Sequence, residues 1–425
     1  MVLNKSLDDS INLIAALLHD VETSHGVVFN YRARINTFRK VEKRARAEGM
    51  GFLTKTLPTL GKALDKALLG QTINYAALGF ETQNGSELPR FLGEFFNCVF
   101  YPNGSVLPYP CAESVRVIRQ ITYLFYKYEL PYTDEQEQQV VSKFVKTETQ
   151  LINMASDFQS LGAACLQNNV NRRQRNFPHT DRINVVREAR ILLSRLFASF
   201  DPTDIDPRHG PGAVATRQKL GAKYQWTNVS SRLTNVYPLD AYFYASLGHV
   251  CDCTHAITSM SEVDHPARVI LVPKDSRGPR LISCEPVDFQ WIQQGLGRAI
   301  VELVEAHPLT RYNVHFTDQG PNRRGALLGS LRGKYSTLDL NEASDRVSLD
   351  LVQLLFPSNL LVYLEAARTT STVLPDGSIL PLRKFAPMGS CLCFPILALT
   401  IWAILTAASH DANARESILV YGDDV

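Results

Sequence analysis

Apolar residues recur at helical spacing from the start of the chain. Over SLDDSINLIAALLHDVE (6–22) leucine, isoleucine and alanine fall three and four apart with acidic residues early, which predicts an amphipathic helix. The pattern returns in DRINVVREARILLSRLFASF (181–200), so the first 200 residues read as mostly helical. DPTDIDPRHGPGAV, Asp201 to Val214, is dense in Pro, Gly and Asp, which predicts a loop and a lobe boundary.

Beyond that loop the apolar runs shorten. ARVILVPKDSRGPRLISCEP (267–286) holds Val269–Val272 and Leu281–Ser283 around a polar centre, as two strands joined by a basic loop would. KYSTLDL (334–340) predicts another short strand. SLDLVQLLF (348–356) opens a helix that Pro357 interrupts, with Ser358 placed to cap the next. TSTVLPDGSILPL (370–382) predicts a hairpin turning at Asp376-Gly377. GSCLCFPILALTIWAIL (389–405) predicts a buried helix with Pro395 in its first turns, and ESILVYGDDV (416–425) a strand entering a turn. Strand, helices, hairpin, helix and strand-turn in that order is an α+β sequence, not a regular βαβ repeat.

Composition adds limits. The 425 residues, 45% hydrophobic and 20% charged, suit a globular protein of more than one domain. The N-terminus lacks the basic and apolar regions of a secretory signal, and the longest apolar run, Phe394 to Ala408, is short for a membrane span. No C-x-x-C pair occurs among the eight cysteines, and Cys251–His255 reads as ordinary reduced thiols rather than a metal site. A net charge of +2 excludes a wholly polycationic surface. Basic clusters nevertheless stand at 31–49, 171–182 and 319–334. One alone is ordinarily a solvated helix face; three in a near-neutral chain suggest a nucleic-acid groove.

The acidic residues carry the chemistry. Asp423 and Asp424 follow the apolar Ile418, Leu419 and Val420, and Gly422 permits a tight turn. Two adjacent aspartates are commonly just a surface turn. At the tip of a buried strand, however, they repel unless a cation lies between them, and magnesium accepts such ligands. Asp339 ends the strand expected at 334–340, and Asp345 follows where a helix should begin. Strands ending in Asp339 and in Asp423-Asp424 could hold two metal ions about 4 Å apart, one activating a hydroxyl and the other stabilising a leaving pyrophosphate. Lys274, Arg277 and Arg280 would then clamp a triphosphate.

These motifs in this order resemble the replicase of the positive-strand RNA bacteriophages, the levivirus group. The resemblance rests on PKDSRGPRLISCEP, DQGPNRRGALLGS, TLDLNEASDRVSLDLVQLLFP, LPDGSILPL, APMGSCLCF and YGDD, and runs from about Arg268 to Val425. It implies an RNA-dependent RNA polymerase of right-hand architecture. Residues 1–210 would be a helical N-terminal region with part of the fingers, 211–332 fingers with the loop admitting nucleotide, and 333–425 the catalytic palm. It makes Asp339, Asp423 and Asp424 the catalytic ligands of two Mg2+ ions, with Mn2+ as a substitute. Lys274, Arg277 and Arg280 would hold the triphosphate, Gly389 and Ser390 would touch template and primer, and Asp345, with Ser344, would lie near the ribose. RNA template and product, ribonucleoside triphosphates and host elongation factors Tu and Ts are the implied partners, in the cytoplasm of the bacterial host and without a membrane.

The sequence departs from the family in two places. Ser390-Cys391 stand where Asn-Gly is frequent, and CFPILAL (393–399) has no asparagine to read the 2′-hydroxyl. A reverse transcriptase is the nearest enzymatic alternative, but small Ser344 sits where such enzymes place a bulky aromatic residue. A non-catalytic RNA-binding fragment of a replicase is the alternative from another class. The resemblance further implies a strand, a helix and a thumb after YGDD. On that reading the chain is the front part of a longer replicase, inactive alone, with Asp423 and Asp424 frayed for want of a partner strand.

Overall fold

A computed structural model describes residues 2–167, 182–333, 335–409 and 417–425. The basic cluster at 171–182 therefore lies, but for Arg182, outside the described residues. Two compact units divide the chain: Met1–Gln138 with Pro273–Arg280, and Gln139–Val272 with Leu281–Val425. The segment 201–214 is an irregular loop, as its composition predicts, and it lies inside the second unit.

The first unit is helical. Helix α1 (Val2–His25) buries Ile11, Ile14, Leu18 and Val21, the stripe its sequence spacing predicts. Helix α2 (Tyr31–Glu48) starts at Asn30, whose side-chain oxygen accepts from the Ala33 amide at 3.1 Å, and buries Ala33, Thr37, Val41 and Ala45. With α3 (Leu57–Leu68) and α4 (Ala112–Tyr123) these helices close over a core including Phe52, Leu60, Phe95, Phe96 and Ile118. Each large apolar side chain so buried contributes about 1.5–3 kcal/mol.

Helix α5 (Asp134–Gln167) runs from the first unit's sequence into the second's, where α6 (Arg182–Leu196) follows. Strands β1 (Ala267–Asp275) and β2 (Gly278–Cys284) form where the sequence predicts them, but each is longer than its apolar run, leaving only Ser276-Arg277 as the turn. Helices α7 (Val287–Ala306) and α8 (Gly320–Arg332) come next, then α9 (Ala343–Arg346), α10 (Leu349–Leu355) and α11 (Ser358–Ala367). Strands β3 (Ser371–Val373) and β4 (Ile379–Pro381) make the expected hairpin. The Asp376 carboxylate accepts from the Ser378 amide and hydroxyl across its turn. The sheet runs β2-β1-β3-β4, with β1 and β3 parallel and Ala267 opposite Thr372. Helix α12 (Cys393–Ala408) fills the core of the second unit, burying Ile396, Leu399, Trp402 and Ala403 and packing along α6. No described helix is long and apolar enough to cross a membrane. The class is α+β.

Two local expectations change. Ser358 is the first residue of α11 and caps nothing; the capping serine is Ser348, which accepts from the Leu351 amide at 3.0 Å and starts α10. Residues 335–340 form no regular strand, because their pairing is limited to a bridge at Asp339.

Two acids sit at the start of α7. Burial pushes the Glu285 carboxyl up to about 7 and that of Asp288 up to about 6. Asp288 accepts from the Ser230 amide at 2.9 Å, whereas Glu285 Oε2 has no hydrogen-bond partner. Between about pH 4.5 and 7 Glu285 stays neutral when folded and ionises when unfolded, so unfolding releases a proton and stability falls as pH rises through that window. Glu285→Gln should remove that part of the slope and unfold at higher denaturant than the parent at pH 8, as a pH series of denaturant titrations would reveal.

Candidate active site

The turn at the end of the chain is closed on both sides. The amides and carbonyls of Tyr421 and Asp424 exchange hydrogen bonds at 2.9 and 3.1 Å around Gly422-Asp423. Gly422 has φ 65, and a Cβ there would stand 2.0 Å from the Phe394 ring on α12. Only glycine satisfies both the left-handed backbone and the close approach. Gly422→Ala should therefore cost about 2–3 kcal/mol in unfolding free energy, measured by denaturant titration; unchanged stability would mean the turn has another conformation available.

The segment entering the turn lies beside 313–315: the Val420 amide donates to the Asn313 carbonyl at 2.7 Å, and the His315 amide to the Val420 carbonyl at 3.0 Å. Val420 is fully buried, whereas Ile418 and Leu419 are half-buried. Leaving the turn, Asp424 forms an antiparallel bridge with Asp339. The Leu338 amide donates to the Val425 carbonyl at 2.8 Å, and the Val425 amide to the Leu338 carbonyl at 3.4 Å. The expectation of frayed aspartates without a partner is thus corrected: the 338–339 segment serves as the partner. Gln319 donates to Asp424 Oδ2 at 2.9 Å, and Asn322 on α8 to the Asp424 carbonyl at 2.9 Å. Asp339 thus stands opposite Asp424, with Asp423 in the adjoining turn, and all three are exposed to solvent. Among the described residues no three acidic, His or Cys side chains are grouped so as to hold one metal ion. A cavity of about 640 Å³ beside the bridge is lined by α8 residues, Leu338, Asp339, Ile418 and Leu419.

Asp345 has a different neighbour. Its Oδ1 accepts from Lys384 Nζ at 3.0 Å, and the same ammonium stands 3.3 Å from Glu148 on α5 and 3.4 Å over the Phe144 ring. Lys384 is completely buried and Glu148 nearly so. Glu148 Oε2 also accepts from the Arg383 amide, while the 3.3 Å contact of Oε1 with Lys384 is an ion pair without hydrogen-bond geometry. Glu342, at φ 54 before α9, pairs with Lys143 and Arg346. Ser344 is half-buried beside the Cys393 thiol, which burial pushes up to about 12.

Gly389 takes φ 127 where a Cβ would meet the Ser283 carbonyl oxygen at 2.1 Å, so the loop lies directly on β2. Ser390 is buried, its hydroxyl donating to Gln293 at 2.9 Å; it organises the loop rather than presenting a free group. Within the first unit, Lys274 and Arg280 are exposed on the strands flanking the two-residue turn. Arg277 departs from the expected clamp. It donates twice to Asp275, at 3.0 and 2.6 Å, and lies over Tyr126. That guanidinium holds the Asp275 carboxyl down at about 2.

Sequence reasoning did not single out Lys384, Glu148, Gln319 or Asn322. A lysine inside LPLRKFAPM (380–388) was the signal for the first, since a charge set among apolar residues needs a partner. Nothing in the sequence tied Glu148 to it.

A family model described as RNA replicase, beta-chain, matches residues 140–425. The RNA-directed RNA polymerase subunit beta of Qbeta virus (strain MX1) is 33% identical over 174 residues, which is 41% of this chain and 29% of the relative. That of Enterobacteria phage SP is 32% identical over 247 residues, 57% of this chain and 41% of the relative. The RNA-directed RNA polymerase beta chain of Escherichia phage MS2 is 33% identical over 158 residues, 37% of this chain and 28% of the relative. The chain thus spans less than half the length of the relatives it matches. The family match takes in both segments of the acidic bridge, the Gly422 turn and the Lys384 pair, and by its extent the chain belongs to the RNA replicase beta-chain family.

Proposed function

We propose that this chain carries the catalytic part of an RNA-directed RNA polymerase, which copies a phage RNA template from ribonucleoside triphosphates. The observation that carries the reading is the bridge of Asp339 to Asp424 with Asp423 in the adjoining turn, three carboxylates from distant sequence on one exposed edge. Fingers and palm of a right-hand polymerase, with boundaries near 210 and 332, are the architecture this reading takes. Its ligands are RNA template and product and ribonucleoside triphosphates. Host elongation factors Tu and Ts are its partners, and the bacterial cytoplasm its place of action.

Carboxylate oxygens are the donors that a hard divalent cation such as Mg2+ takes, so the chemistry of the set fits. Asp339, Asp423 and Asp424 would hold the ions, although Gln319 occupies Asp424 Oδ2 and the three side chains are not grouped as one site. When bound, two such ions supply charge neutralisation at the attacking and leaving oxygens. The protein's own part is positioning. Lys274 and Arg280 bind triphosphate oxygens; Arg277 fixes the turn between them through Asp275. Gly389 lets the 388–390 loop lie against β2, where strands of RNA pass. Asp345, held through Oδ1, keeps its other oxygen for the ribose. The small Ser344 leaves room for a 2′-hydroxyl, which favours RNA synthesis over reverse transcription.

Template-dependent incorporation of labelled ribonucleotides by a replicase containing this chain tests the reading; preference for deoxynucleotides would overturn it. Lys274→Ala and Arg280→Ala should each raise the apparent KM for nucleotides about tenfold or more, since a charge-assisted hydrogen bond contributes about 1.5–3 kcal/mol. Weaker RNA binding at unchanged KM would instead assign these residues to template phosphates.

A further inference from the structure

Helix α2 carries seven Lys or Arg against two Glu, and its cations divide into two sets. Three are neutralised inside the first unit: Arg34 by Glu22, Arg44 by Glu48, and Arg46 by Glu42 and Asp8. The other four, Arg32, Arg39, Lys40 and Lys43, are exposed and have no ion pair among the described residues. At 100° per residue they fall within one stripe, turned away from the buried Ala33, Thr37, Val41 and Ala45. From Arg32 to Lys43 the stripe is about 16 Å long.

A cavity of about 270 Å³ opens beside its C-terminal half, lined by Lys40, Lys43, Arg44 and Arg90 together with Phe52, Phe80 and Phe91. Arg44 forms one wall, lying 4.6 Å over the Phe52 ring and 5.0 Å over Phe80, with Nη1 donating to the Gly79 carbonyl at 2.8 Å. Glu81 is the acid of the lining and is already paired with Arg90 at 3.3 Å.

We propose that this face of α2 is a second RNA-binding surface, taking the sugar–phosphate backbone of a single strand outside the part of the chain that the replicase family model covers. A stripe of unpaired cations is attracted to a polyanion at any point along it, and release of the strand's counterions drives the association. The cavity bears on which polyanion is bound: its Lys40, Lys43 and Arg90 cations beside Phe52, Phe80 and Phe91 suit a phosphate together with the sugar or base attached to it. That the polyanion is RNA rests on the polymerase reading; the charge geometry does not.

The test is fluorescence anisotropy of the whole chain with a labelled 20-nucleotide single-stranded RNA, across a salt series. The variant Arg32→Gln/Arg39→Gln/Lys40→Gln/Lys43→Gln keeps helix-forming residues on an exposed face. It should lower the slope of log K against log salt by about 2 to 3, as the loss of three or four phosphate contacts does. Arg34→Gln/Arg46→Gln, which removes charge from the paired set, should change the slope by less than 1. Equal losses in the two variants would overturn the proposal in favour of diffuse attraction, and an unchanged slope in the first would overturn it outright. Stripe-dependent binding of polyglutamate with none of RNA would also overturn it. Each of these outcomes leaves the polymerase reading to be judged separately, by nucleotide addition with Asp339→Asn as the inactive control.

Discussion

Asp423→Asn should reduce nucleotide addition at least a thousandfold in a replicase carrying this chain, about 4 kcal/mol of transition-state stabilisation, while melting within about 0.5 kcal/mol of the parent. Asparagine keeps the shape and removes one negative charge from an exposed turn, so the fold has little to lose. A divalent ion loses an anionic donor, and phosphoryl transfer depends on charge neutralisation almost throughout. Asp339→Asn should behave alike, and the double variant should be little worse than either single one, because groups acting as a unit are non-additive. Synthesis by Asp423→Asn near the parent rate would sink the assignment of these carboxylates.

The largest stability effect is expected at Lys384→Met. Methionine fills similar volume but leaves Glu148 buried without the ammonium 3.3 Å away, while it still accepts from the Arg383 and Lys384 amides. Breaking a buried pair from one side costs about 3–5 kcal/mol, which for a unit of this size lowers Tm by about 10 °C. Glu148→Gln added to Lys384→Met should recover part of the loss, since the stranded charge is then gone. Calorimetry of the three proteins separates charge from packing: a single variant melting with the parent, or a double variant no better than the single, would show that the ammonium is not what holds α5, α9 and the 383–385 segment together.

The elements legible in advance were those whose signal is local. The apolar stripe of α1, the Asp376-Gly377 turn and the apolar run of α12 each contain their own instructions, and each formed where expected. The 334–340 segment misled because its alternation is that of a strand while its pairing depends on Val425, far along the chain. Arg277 looked like a free cation because the sequence does not reveal that Asp275, two residues before it, is buried and takes its guanidinium. The three aspartates were recognisable from the motif; what orders them was not. Gln319 and Asn322 reach Asp424 across 105 and 102 residues, and Lys384 reaches the separate Asp345 across 39, distances at which no periodicity survives.

The bridge between Asp339 and Asp424 has a consequence for the order of folding. Two backbone hydrogen bonds between Leu338 and Val425 join these segments, with α9 to α12 all lying between them in sequence. Closing so long a loop gains little contact energy against its entropy until the intervening helices have docked. The acidic edge is therefore expected to assemble late and by topology: until α12 is buried, the chain gains little by bringing Asp339 opposite Asp424.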